Sequence, residues 1–207
     1  MGHIGIDESG KGDYFGYLVV AAVYVDERLR IGLESLRVRD SKRVSDSVIR
    51  VMAAEIMKCC PHSVVRISPE KYNGLYSNFK SLNKLLAWGH ARALENVLEK
   101  VGADYALADQ FGDEKFLKNA LLEKGRTIRL VQRTKAESDI AVAAASILAR
   151  DEFVSTLHVL SEKYNIDLPK GATHVEDAAR KIVTMHGASV LDKVAKVHFR
   201  TTKRIIG

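Results

Sequence analysis

Ile4-Gly5-Ile6-Asp7-Glu8-Ser9-Gly10-Lys11-Gly12-Asp13-Tyr14-Phe15-Gly16-Tyr17-Leu18-Val19-Val20-Ala21-Ala22-Val23-Tyr24-Val25 is the stretch on which the reading of this chain turns. A short apolar run ends on two adjacent carboxylates, Asp7 and Glu8. The turn Gly10-Lys11-Gly12 follows, and then a long β-branched apolar run. The pattern predicts strands over 3–7 and 17–25, joined by a hairpin longer than the two-residue type. Carboxylates closing an apolar strand are costly to desolvate without a partner. Glycines bring backbone close to a ligand because no Cβ intervenes. Acidic oxygens beside such a turn, with one lysine on it, point to a divalent cation next to phosphate. That favours a metal-dependent nuclease or phosphotransferase over a passive binder. Taken alone, Gly10-Lys11-Gly12 is also an ordinary tight turn. It is too short for a Walker loop, a nucleophile elbow or a dinucleotide fingerprint.

Outward from that stretch, the chain alternates helices and strands. Residues 45–60 follow a Ser45 cap and read as a helix with Val48, Ile49, Met52 and Ile56 on one face, stopped by Pro61. Residues 63–68 read as a strand. Residues 81–100 read as a helix with a Leu82, Leu86, Ala93 and Val97 stripe flanked by Leu85, Leu94 and Leu98, ending at Gly102. A strand over 104–109 ends on Asp109. A helix over 113–124 closes at Gly125, and a strand covers 126–132. A long alanine-rich helix spans 136–164. Two further helices, 175–186 and 188–198, flank Gly187. These elements make an α/β or α+β domain, a mixed sheet with helices against it.

The chain has 207 residues, 46% of them hydrophobic and 28% charged, enough for a sizeable core. No linker or repeat divides it, so a single domain over 1–207 is expected, its C-terminal helical part from about 166 to 207. No apolar run reaches membrane-spanning length and no signal peptide opens the chain, so the default is a cytoplasmic protein. Adjacent Cys59 and Cys60 read as reduced structural thiols. Net charge is +6, and Lys193, Lys196, Arg200, Lys203 and Arg204 crowd the C-terminus, a balance suited to a polyanionic partner.

Four acidic positions stand out by placement. Asp7 and Glu8 close the first strand, Asp109 closes a later one, and Glu137 opens the long helix. Functional groups in open sheets gather where strands end and helices begin. Oxygen donors of this kind suit Mg²⁺ or Mn²⁺, and two ions about 3.5–4 Å apart serve in-line phosphodiester displacement. Each acid alone fits surface solvation, and Glu137 also fits simple dipole complementarity. Asp139, two residues on, competes with Glu137 for the fourth place. Asp40-Ser41-Lys42 offers a second lysine before a helix. Trp88, Tyr72 and Tyr76 read as core or helix-surface aromatics. None of the seven histidines has metal-ligand spacing.

At these residues the chain resembles the type 2 ribonucleases H, and within them the ribonuclease HIII branch. Asp7-Glu8-Ser9-Gly10-Lys11-Gly12-Asp13-Tyr14-Phe15-Gly16 is similar to that family's opening motif, in which the HII branch typically has arginine between the glycines. Further matches follow in order: Asp40-Ser41-Lys42, Leu82 to His90, Ala108-Asp109-Gln110-Phe111, Lys135-Ala136-Glu137-Ser138 with Val142 to Ile147, Leu168-Pro169-Lys170-Gly171 and Lys196 to Thr202. The resemblance implies a ribonuclease H-like fold, a mixed sheet flanked by helices with a C-terminal helical segment. It implies endonucleolytic hydrolysis of the RNA strand of RNA/DNA hybrids with two Mg²⁺ or Mn²⁺ ions, leaving 5′-phosphate and 3′-hydroxyl ends; a monomer is expected, although the sequence itself does not give the oligomeric state. Catalytic and metal-binding roles carry over to Asp7, Glu8, Asp109 and Glu137, since the HIII branch usually has glutamate at the last. Substrate binding carries over to Ser9, Gly10, Lys11, Gly12 and Lys42, with the turn reading ribose 2′-hydroxyls.

Two departures bear on substrate. The HIII branch usually carries an N-terminal hybrid-gripping domain, whereas here the motif begins at residue 4, so that domain is expected to be missing, with affinity for hybrid either weakened or restored by the basic C-terminus. Tyr17 stands where the family usually has proline. The junction-reading tyrosine of the HII branch has no counterpart in Leu168-Pro169-Lys170-Gly171, so cleavage within ribonucleotide runs is expected over cleavage at single ribonucleotides. The alternatives are HII-like cleavage at single ribonucleotides in duplex DNA, a catalytically silent hybrid-binding module, and a DNA nuclease or recombinase of the same superfamily. Four acidic residues at the matching positions argue against silence.

Overall fold

The structure, a computed structural model, describes residues 2–38 and 44–207. Asp40-Ser41-Lys42, and with it the substrate-binding expectation on Lys42, lies outside the described residues. Strands β1 (His3–Ser9), β2 (Leu18–Val25), β3 (His62–Ile67), β4 (Tyr105–Asp109) and β5 (Arg129–Arg133) form one sheet in the order β3-β2-β1-β4-β5. The central β1 runs parallel to β4, with Ile4 opposite Ala106 and Ile6 opposite Ala108, and β4 runs parallel to β5. Helices are α1 (Glu27–Ser35), α2 (Asp46–Cys59), α3 (Pro69–Phe79), α4 (Leu82–Leu98), α5 (Glu114–Ala120), α6 (Ile140–Tyr164), α7 (Glu176–His186), α8 (Leu191–Val194) and α9 (Arg200–Ile206). The expected mixed sheet flanked by helices is the fold observed. None of these helices is long and apolar enough to cross a membrane.

The chain clusters into two compact units. One comprises residues 1–8, 20–65 and 81–151; the other comprises 9–19, 66–80 and 152–207. The first contains most of the sheet, and strand alternation sorts its side chains. Ile4, Ile6, Ala106 and Ala108 pack with Ala93, Leu94 and Val97 of α4 and Leu117 of α5. On the opposite face, Leu107 packs with Ala136 and Val142. Gly5 faces that side too, and there the backbone of α6 crosses the strand. A Cβ on Gly5 would stand 2.1 Å from the Ala141 carbonyl carbon and the Val142 nitrogen. Such a close approach admits only glycine below and favours the small Ala141, Ala143, Ala144 and Ala145 above, all buried.

Several sequence expectations are corrected. The buried stripe of α2 is Ile49, Met52, Ala53 and Ile56, the i, i+3, i+4, i+7 set, and Val48 falls beside it, exposed. Helix α5 ends at Ala120 rather than Gly125, because Leu121 turns extended. The Glu95 carboxylate, buried on α4, instead accepts from the Lys124 and Gly125 amides at 2.8 and 2.9 Å and fixes the next turn, delaying β5 to Arg129. The long helix starts at Ile140, not 136. Asp139 caps it by accepting from the Ala141 and Val142 amides, and Ala136–Ser138 form a separate 3-10 turn. The expected helix 188–198 is broken into a 3-10 turn over Ala188–Val190 and the short α8, because Ala195 turns extended.

In the second unit, the segment after Gly10 is tied to the C-terminal region. Phe15 bridges Ala195. The Gly16 amide donates to the Val194 carbonyl at 2.9 Å and the Tyr14 amide to the Gly171 carbonyl at 2.8 Å. Gly10 has φ +89°, and a Cβ there would stand 2.2 Å from the Tyr17 carbonyl oxygen, so the turn closes only with glycine at that position. The Tyr17 carbonyl thus packs on the turn, whatever side chain residue 17 bears. Lys196 is corrected as a member of the basic surface: it is fully buried, while Lys193, Arg200, Lys203 and Arg204 remain exposed.

Candidate active site

Parallel pairing of β1 and β4 brings two acids together. One step beyond the paired Ile6 and Ala108 stand Asp7, on β1, which runs on to Ser9 rather than ending at residue 7, and Asp109, the last residue of β4. Strand alternation then divides the adjacent Asp7 and Glu8 between the two faces of the sheet. Asp7 lies on the α6 side and accepts from the Ser146 hydroxyl, and its Oδ1 accepts from the Glu8 amide at 2.8 Å. Glu8 lies on the α4 side, where its Oε2 meets His90 Nε2 at 2.8 Å, the Glu8 side chain 2% exposed and that of His90 0%. The His90 ring also packs against Phe111, with centroids 4.7 Å apart. Asp109 Oδ1 accepts from the Ala136 amide at 3.0 Å, so the 3-10 turn carrying Glu137 begins against the end of β4.

Burial, and after it the charge of Glu8, pushes the Asp7 carboxyl up to about 7, against the smaller lowering effects of the Glu8 amide, Ser146 and His90. A hard divalent cation is the natural relief for such an all-oxygen set, so the donors fit Mg²⁺ or Mn²⁺. Among the described residues no three His, Cys, Asp or Glu side chains already converge as a preformed metal cluster.

Asp139 is placed otherwise. Its two carboxylate oxygens meet His3 Nε2 at 2.9 and 3.0 Å, and Oδ1 also accepts from the Ala141 and Val142 amides. His3 begins β1 and Asp7 stands four residues further along, about 13 Å at the usual strand rise. Burial pushes the Asp139 carboxyl up, but the His3 bond and charge and the two amides outweigh it and hold it below the ordinary value.

Of the expected turn residues, Lys11 and Gly12 are exposed, Ser9 is half-buried and Gly10 is buried. A Cβ on Gly12 would meet nothing within 4 Å, so that backbone is open to a ligand. Sequence reasoning missed the parts played by His90 and Ser146. For His90 a signal existed: it continues the Leu86, Ala93, Val97 stripe of α4, which places a histidine in the core, where it needs a polar partner.

The model of the family described as Ribonuclease HII matches residues 4–202. The chain is 45% identical over 206 residues to ribonuclease HIII of Protochlamydia amoebophila, covering 99% of this chain and 68% of that protein. It is 45% identical over 208 residues to ribonuclease HIII of Chlamydia trachomatis, covering 99% and 69%. Among solved structures, Bst-RNase HIII in complex with Mn²⁺ superposes with a TM-score of 0.91 at 34% identity, covering all of this chain and 69% of that one.

Proposed function

The chain belongs to the ribonuclease HIII family, and from that premise we propose that its Asp7, Glu8, Asp109 and Glu137 form the catalytic, metal-binding set of an endonuclease acting on the RNA strand of RNA/DNA hybrids. Membership carries the activity. The observation that supports the site is the juxtaposition of Asp7 on β1 and Asp109 at the end of the neighbouring β4, with Glu8 next in sequence and Glu137 in the turn whose first amide binds Asp109. The engagement of the Asp139 oxygens by His3 and two helix amides supports Glu137 over Asp139 for the fourth place.

The four carboxylates would hold two Mg²⁺ or Mn²⁺ ions, in keeping with the Mn²⁺ complex of Bst-RNase HIII. Bound there, such ions supply activation of water and neutralisation of charge on the phosphate undergoing displacement. The chain's own groups orient the donors. Ser146 and the Glu8 amide fix Asp7, His90 fixes Glu8, and the Ala136 amide fixes Asp109. The products carry 5′-phosphate and 3′-hydroxyl ends. The open backbone at Gly12, with Ser9, Gly10 and Lys11, reads ribose 2′-hydroxyls. The exposed Lys193, Arg200, Lys203 and Arg204 add sequence-independent attraction, which predicts affinity falling as salt rises. We place residues 1–207 in one catalytic domain, acting as a monomer in the cytoplasm.

One experiment tests this reading. A labelled RNA/DNA hybrid and a duplex bearing one ribonucleotide are offered with Mg²⁺ or Mn²⁺. Cleavage of the hybrid, little of the single-ribonucleotide duplex, and loss of activity in Asp7→Asn are expected. Full activity in Asp7→Asn, or none with either ion, refutes the mechanism. Efficient cutting at the single ribonucleotide moves the specificity to the HII type.

A further inference from the structure

Lys196 is fully buried, yet it is not part of an ion pair of the usual kind. Its Nζ donates to three backbone carbonyls, those of Asp13 at 2.9 Å, Gly16 at 2.8 Å and Phe15 at 3.4 Å, and it lies 5.7 Å from the ring centroid of Tyr72. An ammonium has three N–H groups, and here three carbonyls surround it. Its own amide donates to the Tyr14 carbonyl at 2.9 Å, so one residue gathers the carbonyls of Asp13, Tyr14, Phe15 and Gly16. The Gly171 amide completes the tie by donating to Asp13 Oδ1 at 2.6 Å.

The gathered segment begins where the glycine turn ends. The Asp13 amide donates to the Gly10 carbonyl at 3.3 Å, closing Gly10–Asp13 as a turn whose far end Lys196 holds. Burying an ammonium costs several kcal/mol, an order-of-magnitude penalty that fold stability alone would avoid with an apolar residue. Burial lowers the lysine toward about 7, with Asp13 opposing that shift. Such a cost is repaid by holding carbonyls that no apolar side chain can hold.

We propose that Lys196 is a positioning residue for hybrid recognition, setting the backbone of the Ser9–Gly12 turn by drawing in the carbonyls of Asp13, Phe15 and Gly16 without itself touching substrate. The proposal rests on the reading that this turn recognises ribose 2′-hydroxyls.

The test pairs Lys196→Gln and Lys196→Arg with two hybrids, one all-ribose and one with 2′-deoxy residues flanking the scissile ribonucleotides. In Lys196→Gln, KM for the all-ribose hybrid rises roughly tenfold and kcat changes less than about threefold, with partial recovery in Lys196→Arg. On the 2′-deoxy-flanked hybrid the same substitution has little further effect on KM, because the contact is already gone. If the deoxy change leaves the KM of the unsubstituted protein unaltered, the turn reading fails. If it raises that KM but Lys196→Gln acts equally on both hybrids, or acts on kcat alone, the positioning role fails. Should neither variant melt cooperatively, amide exchange in the unsubstituted protein decides. Binding of the hybrid should slow exchange at Tyr14 and Gly16 as well as in the turn, and unchanged exchange at those two amides overturns the proposal.

Discussion

The two ends of the central strand β1 each hold a histidine beside a carboxylate, and they differ in what the carboxylates lack. At the amino end, Asp139 receives His3 and two helix amides, and its acidity is enhanced. At the carboxyl end, Asp7 receives one hydroxyl and one amide while facing the charge of Glu8, and its carboxyl is pushed up to about 7. A carboxylate saturated with donors is a fastening; one left short of them suits the cation site proposed for Asp7. On the proposed assignment, proximity to histidine does not mark the reactive end, whereas the balance of donors to charge does.

That contrast breaks most sharply if the wrong end carries the chemistry. Asp7→Asn and Asp109→Asn should each lower hybrid cleavage with Mn²⁺ by roughly a thousandfold, the scale of losing a preorganised charge-stabilising group. Asp139→Asn should leave the rate within about threefold and cost about 1 kcal/mol of stability in a chemical melt. A silent Glu137→Gln beside a dead Asp139→Asn would reverse the assignment. Next in size, His90→Leu removes the hydrogen bond that His90 makes to the buried Glu8, and cleavage should fall about 10–100-fold with stability lowered by about 1–3 kcal/mol, read from kinetics and denaturant melts.

The smallest effect is one of sign. Asp7 keeps in the native state a proton the unfolded chain loses near its ordinary 3.8, so its contribution to metal-free stability falls as pH rises from there toward about 7. Asp139, held below its ordinary value, contributes stability above that value and loses it as pH falls. Melting across this range in chelator should show the Asp7 slope vanish in Asp7→Asn and the acid-side loss vanish in Asp139→Asn. Added Mn²⁺ should raise the melting temperature of the unsubstituted protein and not that of Asp7→Asn.

Much of this was legible in the sequence because it follows from local periodicity. The strand end at Asp109, the Ser45 cap and the α4 stripe are short-range patterns. The start of α6 was misplaced because alanine is helix-favouring on either side of Asp139, and the capping role of that aspartate depends on geometry rather than composition. The partners of Asp7 and Glu8 lie 139 and 82 positions away, on α6 and α4, and no periodicity relates residues that distant. Lys196 looked like a member of a surface cluster for the same reason: its carbonyl partners precede it by 180 to 183 positions.

The crossing of α6 over Gly5 has a practical corollary for recognising sequences. Gly5 and Asp7 share a face, so the glycine that admits the helix also fixes which face receives the aspartate. A sequence that keeps every acidic residue but carries any side chain at position 5 cannot seat that helix in the same place. Position 5, which has no chemistry of its own, is thus a stricter filter for an intact site than some of the charged positions by which such chains are ordinarily sought.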